Sequence, residues 1–151
     1  YVMQDQPQGM ERRMVHRLLM HWRGAQQKDE IPGLDAVLSR DLGDIEPCVY
    51  VLDIRGIEPT FERIGGILLA DGGKGLVGEP VSDAPGNTLI GEAVKYYSRV
   101  MVKRIPITLG GEFKNDDGQT ILYRSLIAPL SDNDGESCFL LGAANSKIQE
   151  E

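Results

Sequence analysis

The chain has 151 residues, a length that suits one domain and is short for two. Its composition, 41% hydrophobic and 26% charged, is that of a globular protein that needs neither disulfides nor metal to hold a core. A net charge of −7 argues against general binding to nucleic-acid backbones, and no apolar run approaches the ~18 residues of a membrane span.

Residues 1–27 read as a polar tail followed by an amphipathic helix over about Met10 to Gln27. Met10, Met14, Leu18 and Trp22 recur at every fourth position, with Val15 and Leu19 beside them. Such a stripe has two destinations: the back of its own domain, or the same stripe of a second subunit. The second destination predicts a homodimer interface at Met14, Leu18 and Trp22. Arg12, Arg13, His16 and Arg17 form a basic cluster on the same helix, read as a solvated face in preference to an RNA site.

Residues 28–145 carry the core. Pro47 marks the entry to a first strand, Cys48–Ile54 (CVYVLDI), whose β-branched and aromatic residues suit a sheet. A second strand is predicted over Thr60–Ile64, after Pro59. The adjacent pair Gly65-Gly66 suggests a place where a side chain would block close backbone packing. Ile67–Ala84 is rich in loop signals. Its run DGGKGLVG matches neither a P-loop nor a dinucleotide fingerprint. A long helix is then predicted from Thr88 to Arg104, ended by Pro106.

The last third carries strand signals: Ile107–Phe113, which Gly110-Gly111 interrupts, Gln119–Leu130 and Ser137–Ala144, separated by the turns Asn115–Gly118 and Ser131–Gly135. Residues 146–151 read as a polar tail. Strands joined by tight turns make an antiparallel sheet. The fold class is therefore α+β, a five-stranded antiparallel sheet with helices on one face and the N-terminal amphipathic helix.

This order, together with His21-Trp22, PCVYVLD at 47–53, FERIGG at 61–66, GLVG at 75–78, YRSLIAPL at 123–130 and LGA at 141–143, resembles the PAS domains found as short stand-alone proteins in alphaproteobacteria. The resemblance implies a sensory or protein-interaction module, with any ligand held between the long helix and the inner sheet face. It also implies a signalling partner such as a kinase or regulator, and dimerisation through an N-terminal helix.

Specific chemistries fare less well. Haem-binding PAS domains commonly take an axial histidine from the long helix, and Thr88–Arg104 has none. The flavin-adduct chemistry of light sensors needs an asparagine-cysteine-arginine motif, whereas Cys48 and Cys138 sit in strand patterns as small apolar residues. No cofactor is expected. The sequence shows no nucleophile elbow, HExxH motif or metal-ligand spacing, so a non-enzyme is expected. With no signal-peptide pattern at the given start, a cytoplasmic protein with reduced thiols is expected.

Two functions remain. One is an interaction module with a closed core. The other is a receptor whose small organic ligand controls dimerisation. For the second, Tyr96, Tyr97, Val100 and Met101 would face Tyr123 and Ile127, with Arg63 or Arg124 reaching a carboxylate. The alternative for each is a filled core and solvated arginines.

Overall fold

The computed structural model describes residues 12–28, 30–39, 42–132 and 137–149. The elements run α1 (Arg12–Ala25), α2 (Leu34–Leu38), a 3₁₀ turn (Gly43–Cys48), β1 (Val49–Asp53), β2 (Thr60–Ile64), α3 (Gly66–Leu68), α4 (Leu89–Ala93), α5 (Tyr97–Lys103), β3 (Ile107–Lys114), β4 (Thr120–Ser131) and β5 (Ser137–Ile148). A π turn over Leu69–Gly73 and a 3₁₀ turn over Val81–Asp83 bridge α3 to α4. All strand pairs are antiparallel, in the order β2-β1-β5-β4-β3.

The central strands are buried on both faces, so the sheet divides the core in two. On the outer face, Val49, Val51, Leu126, Ala128, Leu130, Leu141 and Ala143 meet Met14, Leu18 and Trp22 of α1. Leu18 is fully buried, and the Trp22 indole N–H donates to the Pro129 carbonyl at 2.7 Å. Burying one such side chain contributes about 1.5–3 kcal/mol. The stripe expected to pair two subunits is thus spent inside its own chain, because β1, β4 and β5 leave an apolar surface that α1 covers together with Val37 of α2 and Ile45 of the 3₁₀ turn. Met10 lies outside the described residues.

On the inner face, Tyr50, Leu52, Phe61, Ile64, Ile127 and Leu140 meet Leu68, Leu89, Ile90, Ala93 and Val100 from the helical segment. The two sheet edges differ. β2 is covered by the chain at 77–81: Phe61 bridges to Val77, Thr60 to Pro80, and the Gly78 N–H donates to the Phe61 carbonyl at 2.7 Å. β3 forms the other edge of the sheet, with most of its residues exposed.

Three local differences from the sequence reading have physical causes. The helix predicted over Thr88–Arg104 breaks at residues 94–96 into α4 and α5. The Ala93 carbonyl, at the end of α4, accepts from the Tyr50 hydroxyl at 3.2 Å, while the Tyr97 N–H turns back to Val94. β5 runs to Ile148, so the expected polar tail begins inside a strand, and residues 145–148 pair with 121–124 of β4. The pair Gly110-Gly111 does not interrupt β3. Gly111 gives room to the β4 residue opposite, since a Cβ there would lie 3.3 Å from the Tyr123 ring, whereas a Cβ at Gly110 would make ordinary contact with Arg124 Nη1 at 3.6 Å. Gly65 meets its expectation, since a Cβ there would strike the carbonyl oxygens of Glu46 and Pro47. Gly66 has open space around it.

Candidate functional site

The inner face, beneath α4 and α5, is the place a PAS ligand would occupy, and its centre is filled by Tyr50. Tyr50 and Gly142 are direct partners across the β1–β5 ladder. The ring of Tyr50 lies so close over Gly142 that a Cβ there would enter it. Glycine is required at 142 because the ring occupies the volume any side chain would need. With the hydroxyl held by Ala93 and the ring fully buried, desolvation pushes the Tyr50 pKa well above the ordinary phenol range.

The residues expected to line a ligand site divide between the two faces. Ile127 is buried on the inner face, and Val100 packs there from α5. Tyr123 is buried beside them, edge-on to Phe113 with ring centroids 5.9 Å apart. Burial raises its pKa, with the Glu92 carboxylate adding to the effect. Tyr97 packs at the margin of the cluster, and Tyr96 is half-buried with the Arg99 guanidinium 4.5 Å over its ring. Ile127, Val100, Tyr123 and Tyr97 contribute to one side of the core, while Tyr96 stays outside that cluster.

Met101, Arg63 and Arg124 do not join them. Met101 is exposed, because Val100 takes the buried position of α5 and the next residue lies about 100° further around the helix. Arg63 pairs across the ladder with Val51, an outer-face residue, and its guanidinium meets Glu46 at 2.8 Å. Arg124 follows Tyr123 directly, so the alternation of a strand sends it to the opposite face. There it lines a cavity of about 410 Å³ with Val15, His16, Leu19, Thr108, Leu109 and Gly110.

A second outer-face cavity, of about 330 Å³, lies beside α1 and is lined by Met14, Arg17, Asp44, Ile45, Cys48, Ile67, Asn145 and Ser146. Both cysteines belong to the core on the α1 side, away from the inner face. Burial, and then the nearby Asp44 carboxylate, raises the Cys48 thiol pKa. The Cys138 thiol meets Asp132 Oδ2 at 3.3 Å. Among the described residues no group of three His, Cys, Asp or Glu side chains is placed to hold a metal, and no helix is long and apolar enough to cross a membrane.

Sequence reasoning missed Tyr50 and Gly142 as a pair. The signal was present: a lone glycine inside the apolar strand FLLGAA marks close approach by another group. What it could not supply was the register that sets Tyr50 opposite.

No protein-family model and no curated protein matches the chain. Solved structures do. The dark structure of the blue-light photoreceptor Aureochrome1 LOV domain is similar with a TM-score of 0.53 at 16% identity, over 76% of this chain and 83% of that one. The blue-light activated histidine kinase EL346 of Erythrobacter litoralis is similar with a TM-score of 0.53 at 17% identity, over 72% of this chain and 35% of the kinase. A light-oxygen-voltage domain studied with a flavin analogue gives 0.50 at 17% identity, over 73% of this chain and 82% of its own. At such identities the likeness speaks for the fold. LOV domains are a subfamily of PAS domains, and the strand order, the inner-face helices and these neighbours together show that this chain has the PAS fold.

Proposed function

We propose that the chain is a sensory or signalling module that acts in the cytoplasm by contacting another protein, such as a kinase or regulator, and that it does not itself catalyse a reaction. The observation that carries this reading is the Tyr50 ring seated over Gly142. It fills the centre of the inner face, where a core cofactor would otherwise lie. Signalling without a core ligand must then leave through the surface. Met101, Val102 and Ile105, at and just beyond the end of α5, are exposed apolar side chains suited to that contact. The kinase linkage of the similarly folded EL346 protein supports a kinase as the class of partner.

A photo-crosslinking residue placed at Val102, in the protein expressed in its own cells, tests the reading. The expected result is a discrete cross-linked protein that is absent when the probe sits at Asp117 in the β3–β4 turn. Cross-linking to nothing, with a stoichiometric small molecule in the purified protein, would count against it.

A second reading, a receptor for a small organic ligand in the core, is favoured by Ser125. Its hydroxyl is buried in β4 with no hydrogen-bond partner, one position from the Tyr123 and Arg124 pair. A ligand with a hydroxyl or carbonyl would satisfy it once Tyr50 moved aside. In either reading, a homodimer would use a surface other than the buried α1 stripe.

A further inference from the structure

The cavity between α1 and the β3–β4 edge is lined by Arg124, a cation paired with no carboxylate among the described residues. Arg124 is half-buried, and its Nε is shielded from water with no hydrogen-bond partner. Its guanidinium makes no ion pair or hydrogen bond with any described residue. Other arginines of this acidic protein are matched although they lie closer to solvent: Arg17 with Asp44, Arg55 with Asp53 and Arg63 with Glu46, all within 2.9 Å. A shielded guanidinium donor left unpaired is unfavourable, and a carboxylate accepting from its planar fork removes the penalty.

The surroundings define the missing group. Gly110, with no side chain of its own, lies directly beside the Arg124 guanidinium, whose Nη1 is 3.6 Å from where a Cβ would stand. Thr108 adds a hydroxyl, His16 a ring on the α1 wall, and Val15 and Leu19 an apolar boundary. One guanidinium with apolar walls suits one negative charge on an apolar body. A phosphate dianion would call for further cations or a ring of N–H donors. The volume, about 410 Å³, lies within the range of small-molecule sites.

We propose that this cleft binds a small monocarboxylate with a short apolar chain, its carboxylate on Arg124 and its chain between Val15 and Leu19. The site is on the outer face of the sheet, separate from the inner face filled by Tyr50. Because one wall is α1, a bound carboxylate ties that helix to the β3–β4 edge and slows its detachment.

The test uses the full chain, ¹⁵N-labelled, titrated with hexanoate and separately with hexanol and inorganic phosphate. Hexanoate is expected to give saturable shifts at the amides of Val15, Leu19, Thr108 and Gly110, with slower hydrogen exchange in α1. Hexanol and phosphate are expected to leave them unmoved. Arg124→Gln should weaken hexanoate roughly tenfold or more, and Arg124→Lys, which keeps the charge but loses the fork, by an intermediate factor. Absence of saturable shifts in the unmodified chain overturns the proposal. So do equal responses to phosphate or hexanol, binding indifferent to Arg124→Gln, and shifts confined to Tyr50, Ser125 and Ile127. The last result would place the ligand in the core.

Discussion

Tyr50 and Gly142 face each other across adjacent antiparallel strands, and the ring of the first occupies the space a side chain at the second would need. This contact closes the centre of the inner face. It also couples β1 and β5 to α4, since the same tyrosine donates to the Ala93 carbonyl.

Gly142→Ala is expected to destabilise the domain by about 1–3 kcal/mol, the usual cost of forcing extra volume into a packed core. Urea unfolding should show a lower midpoint with an unchanged slope. Adding Tyr50→Leu should recover part of the loss, because the smaller side chain vacates the space over residue 142. A midpoint untouched by Gly142→Ala would mean the ring does not sit where the structure places it.

Tyr50 also predicts an alkaline limit. Its pKa is raised in the folded state by burial, so the folded protein keeps this proton where the unfolded chain gives it up at about pH 10. Its contribution is fully present below that pH and declines as pH rises further, since the unfolded state then binds fewer protons. Tyr50→Phe should lower stability by about 1 kcal/mol near neutrality through the lost hydrogen bond. It should also flatten the fall above pH 10 in denaturation curves taken across the alkaline range.

The α1 stripe predicts loss of stability in place of loss of dimers. Leu18 has no exposed surface and packs on the outer face of the sheet. Leu18→Ala is expected to cost about 2–5 kcal/mol. Sedimentation and unfolding measured together separate the two roles. A stable folded monomer derived from a dimer would show that α1 is an interface after all.

Cys48 should react slowly. Its thiol is buried and its pKa raised, first by desolvation and then by Asp44, so little thiolate forms near neutral pH. Iodoacetamide should modify it roughly tenfold more slowly, or worse, than an exposed cysteine, and readily after unfolding. Mass spectrometry of digested samples reads both rates.

Much of this fold was legible in the sequence because its signals are local. Pro59, and Phe61 and Ile64 as apolar residues between polar neighbours, place β2 at Thr60–Ile64, as observed. Asn115–Gly118 sets the β3–β4 turn. The misplaced features depend on distant partners. Ser146 and Lys147 read as a polar tail, yet they pair with Tyr123 and Leu122. The break between α4 and α5 reflects Tyr50, remote in sequence, at the Ala93 carbonyl. Of the site residues, Tyr97, Val100, Tyr123 and Ile127 follow from helical and strand periodicity. Grouping Arg124 with Tyr123 ignored the alternation that separates neighbours in a strand. Arg63 could be assigned to its face only once its pairing with Val51 was known.

The central claim is that the core is closed and the module works from its surface. Native mass spectrometry of the protein purified from its own cells, run beside Arg124→Gln, tests it most directly. The account predicts a folded species with the mass of the polypeptide, or with a small adduct that disappears in Arg124→Gln. A stoichiometric adduct that survives in Arg124→Gln, is released on denaturation and shifts the amides of Tyr50, Ser125 and Ile127 when bound would contradict it, because a ligand would then occupy the space assigned to Tyr50.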